Sequence, residues 1–231
     1  MRRLVLFDID GTLLSAGGAG KRAFHDAMVA VFGTTGSIEG YSFAGRTDPQ
    51  IVRELLSAEG VEDRQIDAGL EAMWRAYVRN LEREIEEAEV RTFPGVHALL
   101  ERVEAAGNGV VLGLLTGNVV DGARLKLERA GIGFRRFRVG AYGSDHADRP
   151  ELPAVAVARA EALTGHHYRG KEVVIIGDTP FDIACGEHLG VRTVAVATGG
   201  HSAEELAACG PDHLFPDLAD TERVWEAIAV G

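Results

Sequence analysis

Residues 4–13 read Leu-Val-Leu-Phe-Asp-Ile-Asp-Gly-Thr-Leu: four apolar residues that end on two acids. In extended backbone Asp8 and Asp10 point to the same side. Two carboxylates so placed repel unless a cation or a proton lies between them. Gly11 permits a sharp turn after them, and Thr12 offers a hydroxyl or a cap. The same arrangement recurs at Ile175-Ile176-Gly177-Asp178-Thr179-Pro180-Phe181-Asp182, where a second apolar run ends on an acid and another acid follows four residues later. If the two runs are neighbouring strands, Asp178 reaches the Asp8/Asp10 pair. Two or three carboxylates, a backbone carbonyl and waters suit a hard octahedral cation, Mg²⁺. Asp182 also fits a plain N-terminal helix acid. Between these runs, Leu114-Leu115-Thr116-Gly117-Asn118 delivers a hydroxyl, a glycine and the start of a helix. That is an anion site through Thr116 and the Gly117 and Asn118 amides, or an ordinary helix cap.

The elements that would carry these residues alternate. Strands are expected at Leu4 to Phe7, Val110 to Leu115, Val173 to Ile176 and Thr193 to Val196, with a weak edge strand at Asp212 to Phe215. Helices are expected between them, at Val96 to Ala106, Val119 to Ala130, Leu152 to Leu163, Phe181 to Leu189, Ala203 to Cys209 and Asp220 to Ala229. Continuous apolar strands alternating with helices predict an α/β fold: a Rossmann-like, doubly wound parallel sheet covered on both faces, with ligands at the carboxyl ends of the strands. Residues 16–92 break the rhythm. Helical spacing there covers Lys21 to Phe32, Pro49 to Glu59 and Asp67 to Glu89, the last with Leu70, Met73, Trp74, Tyr77, Leu81 and Ile85 as a bundle-core stripe. Glycines 17, 18 and 20 and the run Thr92-Phe93-Pro94-Gly95 mark the two chain crossings. The expected division is a core of residues 1–15 and 93–231 with an inserted α-helical cap of residues 16–92.

The first run resembles the Asp-x-Asp-Gly-Thr motif of the haloacid dehalogenase superfamily. Thr116 matches its second motif and Asp178 with Asp182 its fourth, in the family's order and across the whole chain. A helical insertion at this position is similar to the phosphoglycolate phosphatase-like and β-phosphoglucomutase-like branch. The resemblance implies Asp8 as the nucleophile that forms an aspartyl-phosphate, and Asp10 as general acid and base. It implies Mg²⁺ held by Asp8, the Asp10 carbonyl and Asp178, with Asp182 supporting the metal shell. Thr116 would hold the phosphate beside Gly117 and Asn118. The family's third motif supplies a Lys or Arg. Arg149, directly before a helix, is expected to fill it, with Lys126, Arg124 and Lys171 as rivals: the first two read as solvated charges on a helix face, the third as lying at the far end of a strand. Ala44-Gly45-Arg46-Thr47-Asp48 looks like the branch's specificity loop, with Arg46 a candidate for a carboxylate or second anion, although Thr47 or Asp48 also suits the cap of the helix that begins at Pro49.

The implied enzyme is a Mg²⁺-dependent phosphatase acting on a small phosphorylated metabolite. A sugar phosphomutase shares the acids and the cap. A dehalogenase lacks the second acid, a phosphonate hydrolase would need a cap lysine such as Lys21, and a receiver-type domain is shorter. A non-catalytic relative that only binds a phosphorylated ligand would not need the full set of acids. The chain has 231 residues, 46% of them hydrophobic, a net charge of −11 and a pI of about 5.2. That acidity disfavours nucleic acid. The apolar runs are strand-length, which disfavours a membrane span. Met1-Arg2-Arg3 runs straight into a strand and an acid, unlike a secretory signal. Cys185 and Cys209 lack metal spacing and suit free thiols, so a cytoplasmic location is expected.

Overall fold

The computed structural model describes residues 2–230. Six strands form one parallel sheet: β1 (Arg3–Phe7), β4 (Val110–Thr116), β5 (Val139–Tyr142), β6 (Val173–Gly177), β7 (Arg192–Val196) and β8 (His213–Phe215). Their order is β5-β4-β1-β6-β7-β8. The chain winds outward from β1 in one direction and then, after β5, returns to its other side. This is the doubly wound α/β arrangement expected from the alternation of elements, and it puts β1 at the centre.

Side-chain alternation along β1 serves both faces. Val5 and Phe7 join a cluster with Leu99, Leu127, Val224 and Ile228, from helices α4 (Val96–Ala105), α5 (Val120–Arg129) and α9 (Thr221–Ala229). Leu4 and Leu6 join Leu152, Ala156 and Ala160 of α6 (Leu152–Thr164) on the opposite face. A fully buried Leu or Phe of this kind contributes about 1.5–3 kcal/mol. β5 was not expected from the sequence: it is four residues long, with Gly140 in its middle. It nevertheless pairs with β4 from Gly113↔Val139 to Thr116↔Tyr142.

Helices α1 (Ala19–Phe32), α2 (Asp48–Ala58) and α3 (Asp63–Glu87) bury a cluster of their own, including Phe24, Met28, Ile51, Leu55, Met73, Tyr77 and Leu81. The whole of the expected Met and aromatic stripe lies in this cluster or packs against it. A two-stranded antiparallel ribbon of β2 (Leu14–Ser15) and β3 (Arg91–Thr92), also unexpected, ties together the two crossings of the chain. Among the described residues no helix is long and apolar enough to cross a membrane.

Candidate active site

Register decides which side chains meet. Phe7 is opposite Leu114 on β4 and Ile176 on β6. Asp8 therefore leaves β1 at the level where β4 and β6 end, and its amide donates to the Ile176 carbonyl at 2.9 Å. Thr116 closes β4, and Asp178 follows β6 immediately. Carboxylate oxygens of Asp8, Asp178 and Asp182, all buried, lie within 4.8 Å of one another.

Local chemistry holds each acid in place. Gly11 turns the chain with φ of 89°, and any Cβ there would overlap the Asp178 carboxylate. Thr12 donates to Asp178 Oδ1 at 2.8 Å. Asp182 is the third residue of α7 (Pro180–Cys185), where one of its oxygens accepts from the Thr179 amide and hydroxyl. Its other oxygen meets Arg149, which also lies 3.3 Å from Asp8. Arg149 is 3% exposed, and its Nε has no partner among the described residues.

This cluster is short of positive charge. Burial, with the neighbouring acids adding to it and Arg149 opposing, pushes Asp8 up to about 7. Burial and then Asp182 and Asp8 push Asp178 up to about 8. Hard oxygen donors, close together and deficient in counter-charge, fit a divalent cation. Asp8 and Asp178 have oxygens to offer. Asp182 has both of its oxygens engaged, which suits support of Arg149.

Asp10 stands apart from these three. Its Oδ2 accepts from Asn118 Nδ2 at 2.8 Å and from Lys126 Nζ at 2.6 Å. The same Asn118 nitrogen donates to Thr116 Oγ1 at 2.8 Å, so the Thr116 hydroxyl proton is free to point elsewhere. Above these residues lies a cavity of about 470 Å³, whose walls also include Phe24, Phe43, Ile51 and Tyr77 from α1–α3 and the loop before α2. Arg46 lines this cavity. Its guanidinium donates to the Ser42 carbonyl, lies 3.5 Å from Glu54, and rests over the rings of Tyr41 and Phe181.

A sequence profile of haloacid dehalogenase-like hydrolases matches residues 5–196, a span that contains every acid just described. The chain belongs to the haloacid dehalogenase-like hydrolase family. A phosphoglycolate phosphatase of Pseudomonas savastanoi is 26% identical over 94% of this chain and 77% of its own length. A protein of Dickeya dadantii named "Probable phosphatase IndB" is 28% identical over 95% of this chain and 92% of its own. A hydrolase of known structure from Pseudomonas syringae superposes with a TM-score of 0.73 at 20% identity, over 99% of this chain and 100% of that one, a likeness of fold.

The structure brings Asp8, Asp10, Arg46, Thr116, Gly117, Asn118, Arg149 and Asp178 to one cavity, with Asp182 behind Arg149. One sequence expectation is overturned. Lys126 is not a solvated charge on a helix face but 5% exposed and bonded to Asp10. The signal was present in the spacing, since Val119, Ala123, Lys126 and Leu127 share one face of α5, and the other three are buried apolar residues. Arg124 is half-exposed beside Asp121, and Lys171 pairs with Asp212, both away from the cavity. Asp48, weighed only as a capping residue, is buried and accepts from the Val119 amide at 2.7 Å, while Thr47 caps α2.

Proposed function

We propose that this chain is a Mg²⁺-dependent phosphatase that hydrolyses a small phosphomonoester through an aspartyl-phosphate on Asp8. The observation that carries the reading is the division of labour among its acids. Asp8 faces the cavity at the end of the central strand beside an arginine, and the acid two residues on is held separately by a lysine and an asparagine. Nucleophile and proton carrier thus have different surroundings, as a two-step phosphoryl transfer requires.

In the first step an Asp8 oxygen bonds to phosphorus, and the ester P–O bond breaks with its electron pair going to the ester oxygen, which takes a proton from Asp10. In the second, a water gives its proton to Asp10 as its oxygen bonds to phosphorus, and the bond to Asp8 breaks to restore the carboxylate. Arg149 and the Thr116 hydroxyl hold the non-bridging oxygens. Asp8, Asp178 and the Asp10 carbonyl would hold Mg²⁺, which would supply the charge that lets an anionic nucleophile approach an anionic ester. Residues 16–92 act as the cap that excludes bulk water, and Arg46 meets a carboxylate or second anion on the substrate.

The test is inorganic phosphate release from a panel of phosphomonoesters, with Mg²⁺ and with EDTA, for wild type and Asp8→Asn. Mg²⁺-dependent release that falls by about 10³-fold or more in Asp8→Asn is expected. Full activity in Asp8→Asn, or no release from any ester by wild type, overturns the reading. Phosphate that moves to another hydroxyl of a sugar without reaching water would make the enzyme a mutase.

A further inference from the structure

The phosphatase reading leaves one buried cation of the cavity lining without a task. Lys126 Nζ lies 2.6 Å from Asp10 Oδ2 and 2.6 Å from Asn118 Oδ1. Asn118 returns to the same Asp10 oxygen through Nδ2 at 2.8 Å. Asp10 Oδ2 thus receives two donors, while Oδ1 receives none among the described residues. The ammonium is roofed by the helical segment: a Cβ on Gly20 would lie 3.4 Å from Nζ, with Tyr77 beside it. A buried, doubly bonded ammonium is a fixed object, unlike the flexible lysine of a protein surface.

We propose that Lys126 is a positioning residue that acts through Asp10: with Asn118 it pins Oδ2 and so leaves Oδ1 as the oxygen that exchanges the proton with the ester oxygen and with water. This rests on the phosphatase reading, in which Asp10 carries that proton. The competing role is direct capture of the substrate phosphate, since Lys126 also lines the cavity. The two roles differ in their dependence on the leaving group. An alkyl ester oxygen needs the Asp10 proton as the P–O bond breaks; p-nitrophenolate leaves with the electron pair and needs none. Hydrolysis of the aspartyl-phosphate needs Asp10 in both cases.

The experiment compares p-nitrophenyl phosphate with the alkyl ester turned over fastest in the panel above, by stopped flow and steady state, in wild type, Lys126→Met, Asp10→Asn and the double variant. Lys126→Met should lower kcat on the alkyl ester by about 100-fold or more with KM changed less than about 3-fold. On p-nitrophenyl phosphate it should give a burst of about one nitrophenolate per enzyme at close to the wild-type rate, followed by slow turnover. In the Asp10→Asn background the same change should cost less than about 3-fold, because the pair acts as one unit. Equal loss on both esters without a burst, a raised KM at unchanged kcat, or a full multiplicative loss in the Asp10→Asn background overturns the proposal. If Lys126→Met does not fold, Lys126→Arg takes its place: it keeps the charge but displaces the donors, and should show the same split at smaller amplitude. Wild type that acts on neither ester overturns the phosphatase reading, and this inference with it.

Discussion

Arg149 and Lys126 divide the positive charge of the site, one against Asp8 and Asp182, the other against Asp10. Arg149 meets Asp8 and the acid behind it through one terminal nitrogen, and its delocalised, weakly hydrated charge suits that burial better than the compact ammonium of a lysine. Arg149→Lys is therefore expected to lower kcat by roughly 10–100-fold while the protein stays folded, and Arg149→Met to cost a further 3–5 kcal/mol or so of stability by leaving two buried acids unpaired. Steady-state kinetics and urea unfolding check the two effects; a wild-type kcat in Arg149→Lys would refute the assigned role. Arg149 was legible in the sequence because it precedes a helix at the place where the motif order needs a cation. Asp8, Thr116 and Asp178 were legible because each closes or directly follows an apolar strand. Lys126 was misread, although its spacing puts it with Val119, Ala123 and Leu127, because a lysine in a helix is by default at its surface. Only the neutralising acids of two other segments make its burial tolerable, and those are brought to it by the fold.

At the scale of elements, three loops stack against one another over the strand ends. The Asp48 amide donates to the Gly117 carbonyl at 2.7 Å, the Gly143 amide to the Asn118 carbonyl at 2.9 Å, and the Thr47 hydroxyl to the Ala147 carbonyl at 2.5 Å. A Cβ on Gly117 would overlap the Arg46 carbonyl oxygen, and one on Gly143 the Gly117 carbonyl oxygen. Gly117 does not adopt a positive φ, so its requirement is space and not backbone freedom. Gly117→Ala should push the 46–48 segment away, lower kcat/KM by about tenfold or more and speed amide exchange at residues 46–48, whereas Gly40→Ala, where a methyl meets nothing within 4 Å, should do neither. Unchanged kinetics and exchange in Gly117→Ala would show that these loops do not need their close approach. Such contacts were invisible in the sequence, which marked Thr-Gly-Asn as a helix start but carried no sign of what lies against its glycine. The β2–β3 ribbon and β5 escaped for a related reason. Segments of two and four residues carry too little periodicity to register, and they owe their conformation to a paired neighbour.

For the whole molecule, the acid cluster is expected to link folding to pH and to metal. Asp8, at about 7, and Asp178, at about 8, both lie above the ordinary aspartate value of 3.8, chiefly through burial. Between that ordinary value and the raised ones, the folded protein holds protons that the unfolded chain has released. The unfolded state then binds fewer protons, so stability falls as pH rises, and the contribution is fully present only below about pH 4. Without metal, the melting midpoint should therefore fall from pH 5 to pH 8. Acids whose pKa is lowered, such as Asp145 and Asp212, have lost their protons in both states across this window and do not oppose the trend. Mg²⁺ should reverse it, because the cation binds the deprotonated cluster and stabilises most where that form dominates. Asp178→Asn separates the cluster from the rest of the acidic surface. The amide oxygen can still accept from Thr12, but no charge is left to repel Asp8 and Asp182. In EDTA the variant should melt above wild type at pH 8, lose that advantage towards pH 5, and gain little from Mg²⁺. Thermal melts of both proteins at pH 5, 6, 7 and 8, with EDTA and with Mg²⁺, decide the matter. A metal-free wild type that grows more stable towards pH 8, with a parallel Asp178→Asn curve, would mean that the cluster is already neutralised by the protein and has no need of a cation.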